Sequence, residues 1–403
     1  MTRVTIPALV LFAIEVAIFG LFALATHGYF GPMNPPGSSD FLSFYAAGLL
    51  ANDGHAALAY DQARHWAIER LIFGDARVPY YYFFYPPIFL LPSAALARLP
   101  FLAGFVVFQG LTIALFLAGL RRIAGDWRIP LLCLTFTAVP FIIGLGQNSF
   151  LSAGLLGLGL SLLARRPLAA GVLLGVLCYK PQLALVIPLA LVAAGQGRAL
   201  LGMAAAALAL IGLSLLAFGP EPWHAFLAAI PRARETFASG AIPFTGQVSL
   251  FAAARLLGAG TIPAAILQAA GASIAIAAMI ITWRRPSTAA ARNLVLTAAI
   301  LATTPVILFY DLLPVAIALA MLAREARQTG YLPWERAACA VSWMIPGLVI
   351  ASGEALRLPL GPLVPALLLG LGLRRHLMAR DLYDDVHNDV DATGRPVLNA
   401  GLP

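Results

Sequence analysis

The stretch Phe101-Leu-Ala-Gly-Phe-Val-Val-Phe-Gln-Gly-Leu-Thr-Ile-Ala-Leu-Phe-Leu-Ala-Gly-Leu120, closed at once by Arg121-Arg122, decides the fold class. Wound as an α-helix, about 20 uncharged residues rise about 30 Å, the thickness of a bilayer's hydrocarbon core. Apolar runs recur at 129–144, 149–164, 168–179, 182–197, 199–218, 261–283, 292–306, 308–323, 337–353 and 361–375, with an uncleaved first span at 5–27. The chain has 403 residues, 61% hydrophobic and 11% charged, with mean hydropathy +0.86. Soluble domains carry about 25% charged residues, so one aqueous core could not hide this much apolar surface. Lipid offers backbone N–H and C=O groups no partners, which favours helices, and these runs lack the alternation of barrel strands. The expected class is an all-α polytopic membrane protein with about 12 transmembrane helices.

Arginines punctuate the runs: Arg121-Arg122, Arg165-Arg166, Arg198, Arg284-Arg285, Arg324 and Arg374-Arg375. Placing them all in the cytoplasm gives one consistent multi-pass path through the inner, cytoplasmic membrane. Both termini are then inside, and 28–85, 146–149, 180–182, 219–248 and 305–311 lie outside. Residues 86–99 are too few to cross easily, and 168–197 is tight for two spans. Residues 1–378 form the membrane domain. Its first outer loop, 28–85, is expected to hold short helices at 40–51 and 61–73 and an aromatic belt, Tyr80 to Tyr85, ended by Pro86-Pro87. A second polar loop covers 219–248, and 379–403 reads as an acidic, disordered cytoplasmic tail.

The net charge of +8 fits a positive-inside bias and anionic headgroups. Paired arginines between apolar runs form no basic stripe, which argues against nucleic acid. Cys133, Cys178 and Cys339 are isolated inside apolar runs and read as packing residues. The histidines show no ligand spacing, and no phosphate-binding glycine loop opens a helix, so neither a metal nor a cofactor is expected.

Candidate chemistry lies where polar residues interrupt apolar sequence. Asp40 stands in Ser-Ser-Asp-Phe-Leu-Ser-Phe-Tyr-Ala-Ala-Gly (38–48), at the outer rim beside lipid. It reads as a helix N-cap, or as a general base kept ionised by the helix N-terminus. Gly146-Gln147-Asn148-Ser149 breaks a long apolar run, as an interhelical hydrogen-bonding group or a polar site. Lys180, the single lysine, sits in Tyr179-Lys180-Pro181-Gln182. It either snorkels to the interface or faces an anion. Asp40, Gln147, Lys180, Gln247 and Asp311 map to one membrane face.

Asp40-Phe-x-x-Phe-Tyr-Ala-Ala-Gly, Tyr60-Asp61, Tyr85-Pro86-Pro87, Gly146-Gln147-Asn148 and Lys180-Pro181-Gln182, in that order, resemble glycosyltransferase family 87, the polyprenol-phosphate-mannose-dependent mannosyltransferases. The likeness runs from about residue 38 to 315. It implies the GT-C fold with an active site at the outer face, and it makes Asp40 the catalytic aspartate. A histidine-bearing stretch of the relatives is replaced here by Pro305-Val-Ile-Leu-Phe-Tyr310-Asp311, so its role would fall to Tyr310 or Asp311 or be missing.

The implied reaction is inverting transfer of a hexose, mannose first, from a polyprenyl-phosphate donor to a lipid or glycan acceptor, with membrane lipids around it. Lys180, then Arg255, Arg232 and Arg234, are the candidate phosphate partners. Gln147, Asn148 and Gln182 would hold sugar or phosphate, and Tyr45, Tyr85, Gln247, Tyr310 and Asp311 complete the expected substrate-binding set. The alternative is a polytopic transporter or flippase for a lipid-linked or anionic substrate, since broken spans with intramembrane polar groups suit both.

Overall fold

The computed structural model describes residues 39–74 and 78–388. The expected first span at 5–27 and the tail beyond Asn388 lie outside the described residues. Within them the chain is helical and has no strand, apart from an isolated antiparallel bridge between Gln247 and Leu308. The helices are α1 Ser39–Asn52, α2 Gln62–Phe73, α3 Leu90–Leu96, α4 Phe101–Ala124, α5 Arg128–Cys133 and α6 Val139–Leu145. Next come α7 Ser149–Leu162, α8 Pro167–Val176, α9 Pro181–Ala184, α10 Ile187–Ala193, α11 Gly197–Phe218 and α12 Glu221–Ser239. Then follow α13 Leu250–Leu256, α14 Thr261–Arg284, α15 Ala289–Thr303, α16 Pro314–Thr329, α17 Glu335–Leu356 and α18 Leu363–Asn388.

Among the described residues, α4, α11 and α14 are long and apolar enough to cross a bilayer. They display leucine and isoleucine outward, as at Leu102, Leu111, Leu208, Leu216, Ile262 and Ile266. A surface of that kind is stable against lipid tails rather than water. The chain is an all-α membrane protein. Other apolar runs form shorter helices. The run at 129–144 splits into α5 and α6, and the run at 182–197 splits into α9 and α10. Pro181 and Pro188, in the first turns of α9 and α10, lack the N–H a continuous helix needs, and Pro181 also holds Lys180 outside the helical region at φ −118°, ψ 77°. Broken helices of this kind persist at membrane depth only where protein covers them.

Helices α15 and α16 form the centre and are buried along most of their length. Helix α16 reaches α4, α7 and α15; α11 packs along α8, and α18 along α15. Helix α1 sits on α3 at very close range. A Cβ added to Gly48 would lie 2.1 Å from the Ser93 carbonyl oxygen, so only glycine permits this approach. Phe41 anchors the other end of α1, packing on Phe101, Phe105 and Phe108 at ring separations of 5.3, 5.5 and 5.9 Å. Helix α2 follows the sequence expectation. Asp61 caps it by accepting from the Arg64 N–H at 2.9 Å.

Two expectations are corrected. Residues 219–248 are not simply a loop, because α12 occupies nineteen of them. Pro222 falls in its first turn, where no amide partner is lost, and Trp223, Phe226 and Phe237 give it an apolar face. That face packs on Tyr60 and Phe84. The acidic tail is helical from Ala379 to Asn388 because α18 continues through it. Extending a nucleated helix adds one hydrogen bond per residue fixed, so composition alone does not stop it.

Candidate active site

Three interruptions between helices converge with the start of α1. The first is Gly146-Gln147-Asn148. Gly146 adopts φ +68° and closes α6, with its N–H donating to Ile143 and that of Gln147 to Ile142. A Cβ at Gly146 would also come within 2.5 Å of the Phe41 Cβ, so the turn lies directly against the first turn of α1. The second is Lys180, held at φ −118°, ψ 77° by the proline behind it. The third is the 3₁₀ turn Phe309–Leu312, between α15 and α16, which carries Tyr310 and Asp311.

Asp40 lies inside the first turn of α1 and is half-buried. The Gln147 side chain and the charges of Lys180 and Asp311 act on its carboxylate. The Gln147 amide is oriented by its own partners. Its Oε1 accepts from the Asn148 N–H at 2.7 Å and from the Tyr85 hydroxyl at 3.3 Å, which leaves its NH₂ for Asp40. Gln109 of α4 fixes the same turn by donating to the Gln147 carbonyl at 3.2 Å. The Asn148 side chain is fully buried and makes no hydrogen bond, although its amide lies beside the Tyr85 hydroxyl. Buried amides are nearly always paired, so this one has spare capacity for a polar ligand.

Lys180 donates to Asp311 Oδ1 at 2.6 Å, and both residues are buried. The Lys180 ammonium also lies 6.0 Å from the Tyr310 ring. Residues 131 positions apart are thus joined by one ion pair. Asp40, Tyr85, Gln147, Asn148, Lys180, Tyr310 and Asp311 form one cluster.

Burial pushes the Asp40 carboxyl up to about 7, with the Asp311 charge adding to it; Lys180 and the Gln147 hydrogen bond pull the other way. Burial thus works against the charge that the helix N-terminus was expected to favour on this carboxylate. A base titrating near 7 combines a useful ionised fraction with real proton affinity. Any reaction needing ionised Asp40 should rise as pH increases through about 7 and level off above it. A pH–rate profile of the reconstituted protein reads this directly; a flat profile from pH 5 to 8 excludes Asp40 as the titrating base.

Behind α1, His65 and Glu69 of α2 are fully buried, with the His65 Nδ1 3.5 Å from Glu69. His65 Nε2 bonds the Ser43 carbonyl of α1 at 3.1 Å, and Glu69 accepts from the Tyr81 N–H at 3.1 Å. Burial lowers His65 to about 4 and raises Glu69 to about 8, so both are neutral at pH 7.

Other expected residues take different places. The Tyr45 hydroxyl donates to the Leu99 carbonyl at 2.7 Å and its ring packs on Phe101, a packing task rather than a binding one. The Arg255 guanidinium bonds the Ala259 carbonyl at 3.0 Å and lies over Phe244, so it is engaged away from the cluster. Gln247 joins only through the backbone: its bridge to Leu308 and the bond from the Val248 N–H to Ile307 steady the strand-like approach to Asp311. Gln182 faces a cavity of about 630 Å³ beside the cluster, with Pro181, Thr304, Phe84, Phe226 and Arg234 also on its wall. Asp40 is not on that wall. Sequence reasoning missed Gln109 as a holder of the Gln147 turn. It also missed Tyr179, whose hydroxyl bonds Ser152 at 2.6 Å and the Asn148 carbonyl at 3.3 Å. In both cases the signal was a hydrogen-bonding group inside an apolar run. No group of His, Cys, Asp and Glu among the described residues could hold a metal ion.

The family model described as glycosyltransferase family 87 matches residues 83–309, more than half of the chain. The chain belongs to glycosyltransferase family 87. It is a membrane glycosyltransferase. The match is narrower than the expected 38–315: it takes in Tyr85, Gln147, Asn148 and Lys180 and leaves Asp40 and Asp311 outside. No curated protein and no solved structure matches this transferase.

Proposed function

We propose that this family 87 transferase moves a hexose, mannose first, from a polyprenyl phosphate to a hydroxyl of a lipid or glycan acceptor. The site opens at the outer face of a multi-pass protein of the GT-C fold in the cytoplasmic membrane. The observation that carries this reading is the meeting of Asp40, Gln147 and the Lys180–Asp311 pair at three helix interruptions. Those residues supply a base near neutrality, an amide that orients it, and a cation in a place sheltered from water. The large apolar cavity on the Pro181–Gln182 side, with Arg234 on its wall, suits a prenyl chain ending in an anion.

In the reaction, the acceptor oxygen attacks the anomeric carbon while Asp40 takes its proton. The bond from that carbon to the phosphate oxygen breaks, and the lipid phosphate departs with the electron pair. One displacement inverts the anomeric configuration. Because the phosphate leaves readily, a single carboxylate suffices, unlike hydrolysis of a glycoside, which uses two. Asn148 and Gln182 hold sugar hydroxyls.

The deciding experiment supplies purified protein in proteoliposomes with polyprenyl-phosphate mannose, polyprenyl-phosphate glucose and a nucleotide sugar, together with membrane lipids. Transfer from a polyprenyl-phosphate hexose alone, giving the inverted anomer, is the expected result. Use of the nucleotide sugar instead, or retention of configuration, refutes the reading. Ala233 of α12 also lines the cavity, and filling it by Ala233→Trp should raise KM for a long-chain donor severalfold and spare a short-chain one. Equal effects on both donors would detach the cavity from donor binding.

A further inference from the structure

The two buried ion pairs in the described part of the protein are built differently. Arg375 has its guanidinium fully engaged by Glu335 at 2.7 Å, Thr329 at 2.7 Å and the Gly330 carbonyl at 2.8 Å, the pattern of a structural clip. Lys180 has three N–H donors and uses one, on Asp311, while being only 2% exposed. An ammonium taken out of water normally recovers its lost hydrogen bonds from the protein. Here two donors are left over, and the Asn148 amide, on the turn that Tyr179 ties to this one, is unpartnered as well. The charges are unbalanced as well. One ammonium faces both Asp40 and Asp311, and an entering phosphodiester would add a further negative charge. Asp311 and the phosphate therefore compete for the same cation.

We propose that Asp311 is a positioning residue that holds the Lys180 ammonium until a donor arrives and yields it to the anionic oxygens of a lipid phosphate, so that the strength of this pair sets donor affinity. The proposal rests on the transfer reading above and adds the regulation of its cation. Asp311 keeps Lys180 from pairing with Asp40, which would spoil the base. It also makes the ammonium available only to a ligand whose oxygens outbid a carboxylate 2.6 Å away. A neutral prenyl alcohol cannot do so.

The test measures equilibrium binding of undecaprenyl phosphate and undecaprenol to detergent-purified protein, with thermal unfolding as the check on folding. Wild type should prefer the phosphate. Asp311→Asn, close to isosteric, should bind the phosphate about tenfold tighter, the gain expected when a close charged competitor is removed. Its kcat should fall while KM for donor falls with it, a split that a merely structural role would not give. The doubly neutral Lys180→Gln/Asp311→Asn leaves no unpaired buried charge and keeps the test open if the single variant does not fold. It should bind phosphate no better than alcohol. The proposal is overturned if folded Asp311→Asn binds the phosphate no tighter than wild type, or if the double variant keeps the wild-type preference for phosphate. A wild type with no preference for the phosphate would remove the donor reading as well.

Discussion

Asp40→Asn should lower transfer by about 10²- to 10⁴-fold, the usual worth of a positioned general base, while the protein stays folded. The asparagine oxygen can still accept from Gln147, and the volume is nearly unchanged. The two properties separate because burial already disfavours the Asp40 carboxylate. An acid whose folded value is raised from 3.8 to about 7 withdraws stability progressively as pH climbs from about 4 to 7. The neutral variant escapes that loss, so its thermal unfolding above pH 7 should match or exceed wild type. Transfer in proteoliposomes and unfolding in detergent, measured on the same preparation, check both. A variant that unfolds early and is inactive would mark Asp40 as structural, and one with undiminished transfer would end its role as base.

Gly48→Val should be the most damaging change outside the cluster. The first added carbon meets the Ser93 carbonyl oxygen at 2.1 Å and the Ala97 Cβ at 2.8 Å, and the oxygen belongs to the α3 backbone, which no rotamer change can move aside. Helix α1 must then lift from α3. Overpacking of this kind costs about 1–3 kcal/mol or more. A displacement of about 1 Å at the base is enough to lower a rate about a hundredfold. The expected result is reduced thermal stability together with near-complete loss of transfer. Gly48→Ala should fall between. If the valine variant unfolds at the wild-type temperature, the close seating of α1 on α3 is wrong.

The fold was legible wherever one property ran unbroken through the chain. The run 101–120 became α4, 199–218 became α11 and 261–283 became α14, each within a few residues. Asp61 also marked the start of α2. The candidate site was legible as a set of exceptions: Gln147, Asn148 and Lys180 stood out because uncharged, apolar sequence surrounds them. What could not be read was pairing. Nothing local joins Lys180 to Asp311 across 131 residues, and that contact supplies the anion that the sequence left unnamed. Tyr45 failed because a tyrosine in a motif advertises its hydroxyl, whereas the Leu99 carbonyl that occupies it lies 54 residues on. Helix α12 was hidden because its polar residues, Glu221, His224, Arg232 and Arg234 among them, read as a loop.

The uncharged His65–Glu69 couple behind α1 has a consequence for the base in front of it. Between about pH 5 and pH 7 both members stay mostly uncharged. Within that interval a rise in pH begins to ionise Asp40 while the scaffold at its back stays electrically silent. If Asp40 is the proton acceptor proposed above, the charges of residues 180 and 311, far along the chain, offer a way to adjust it without repacking the helix that bears it.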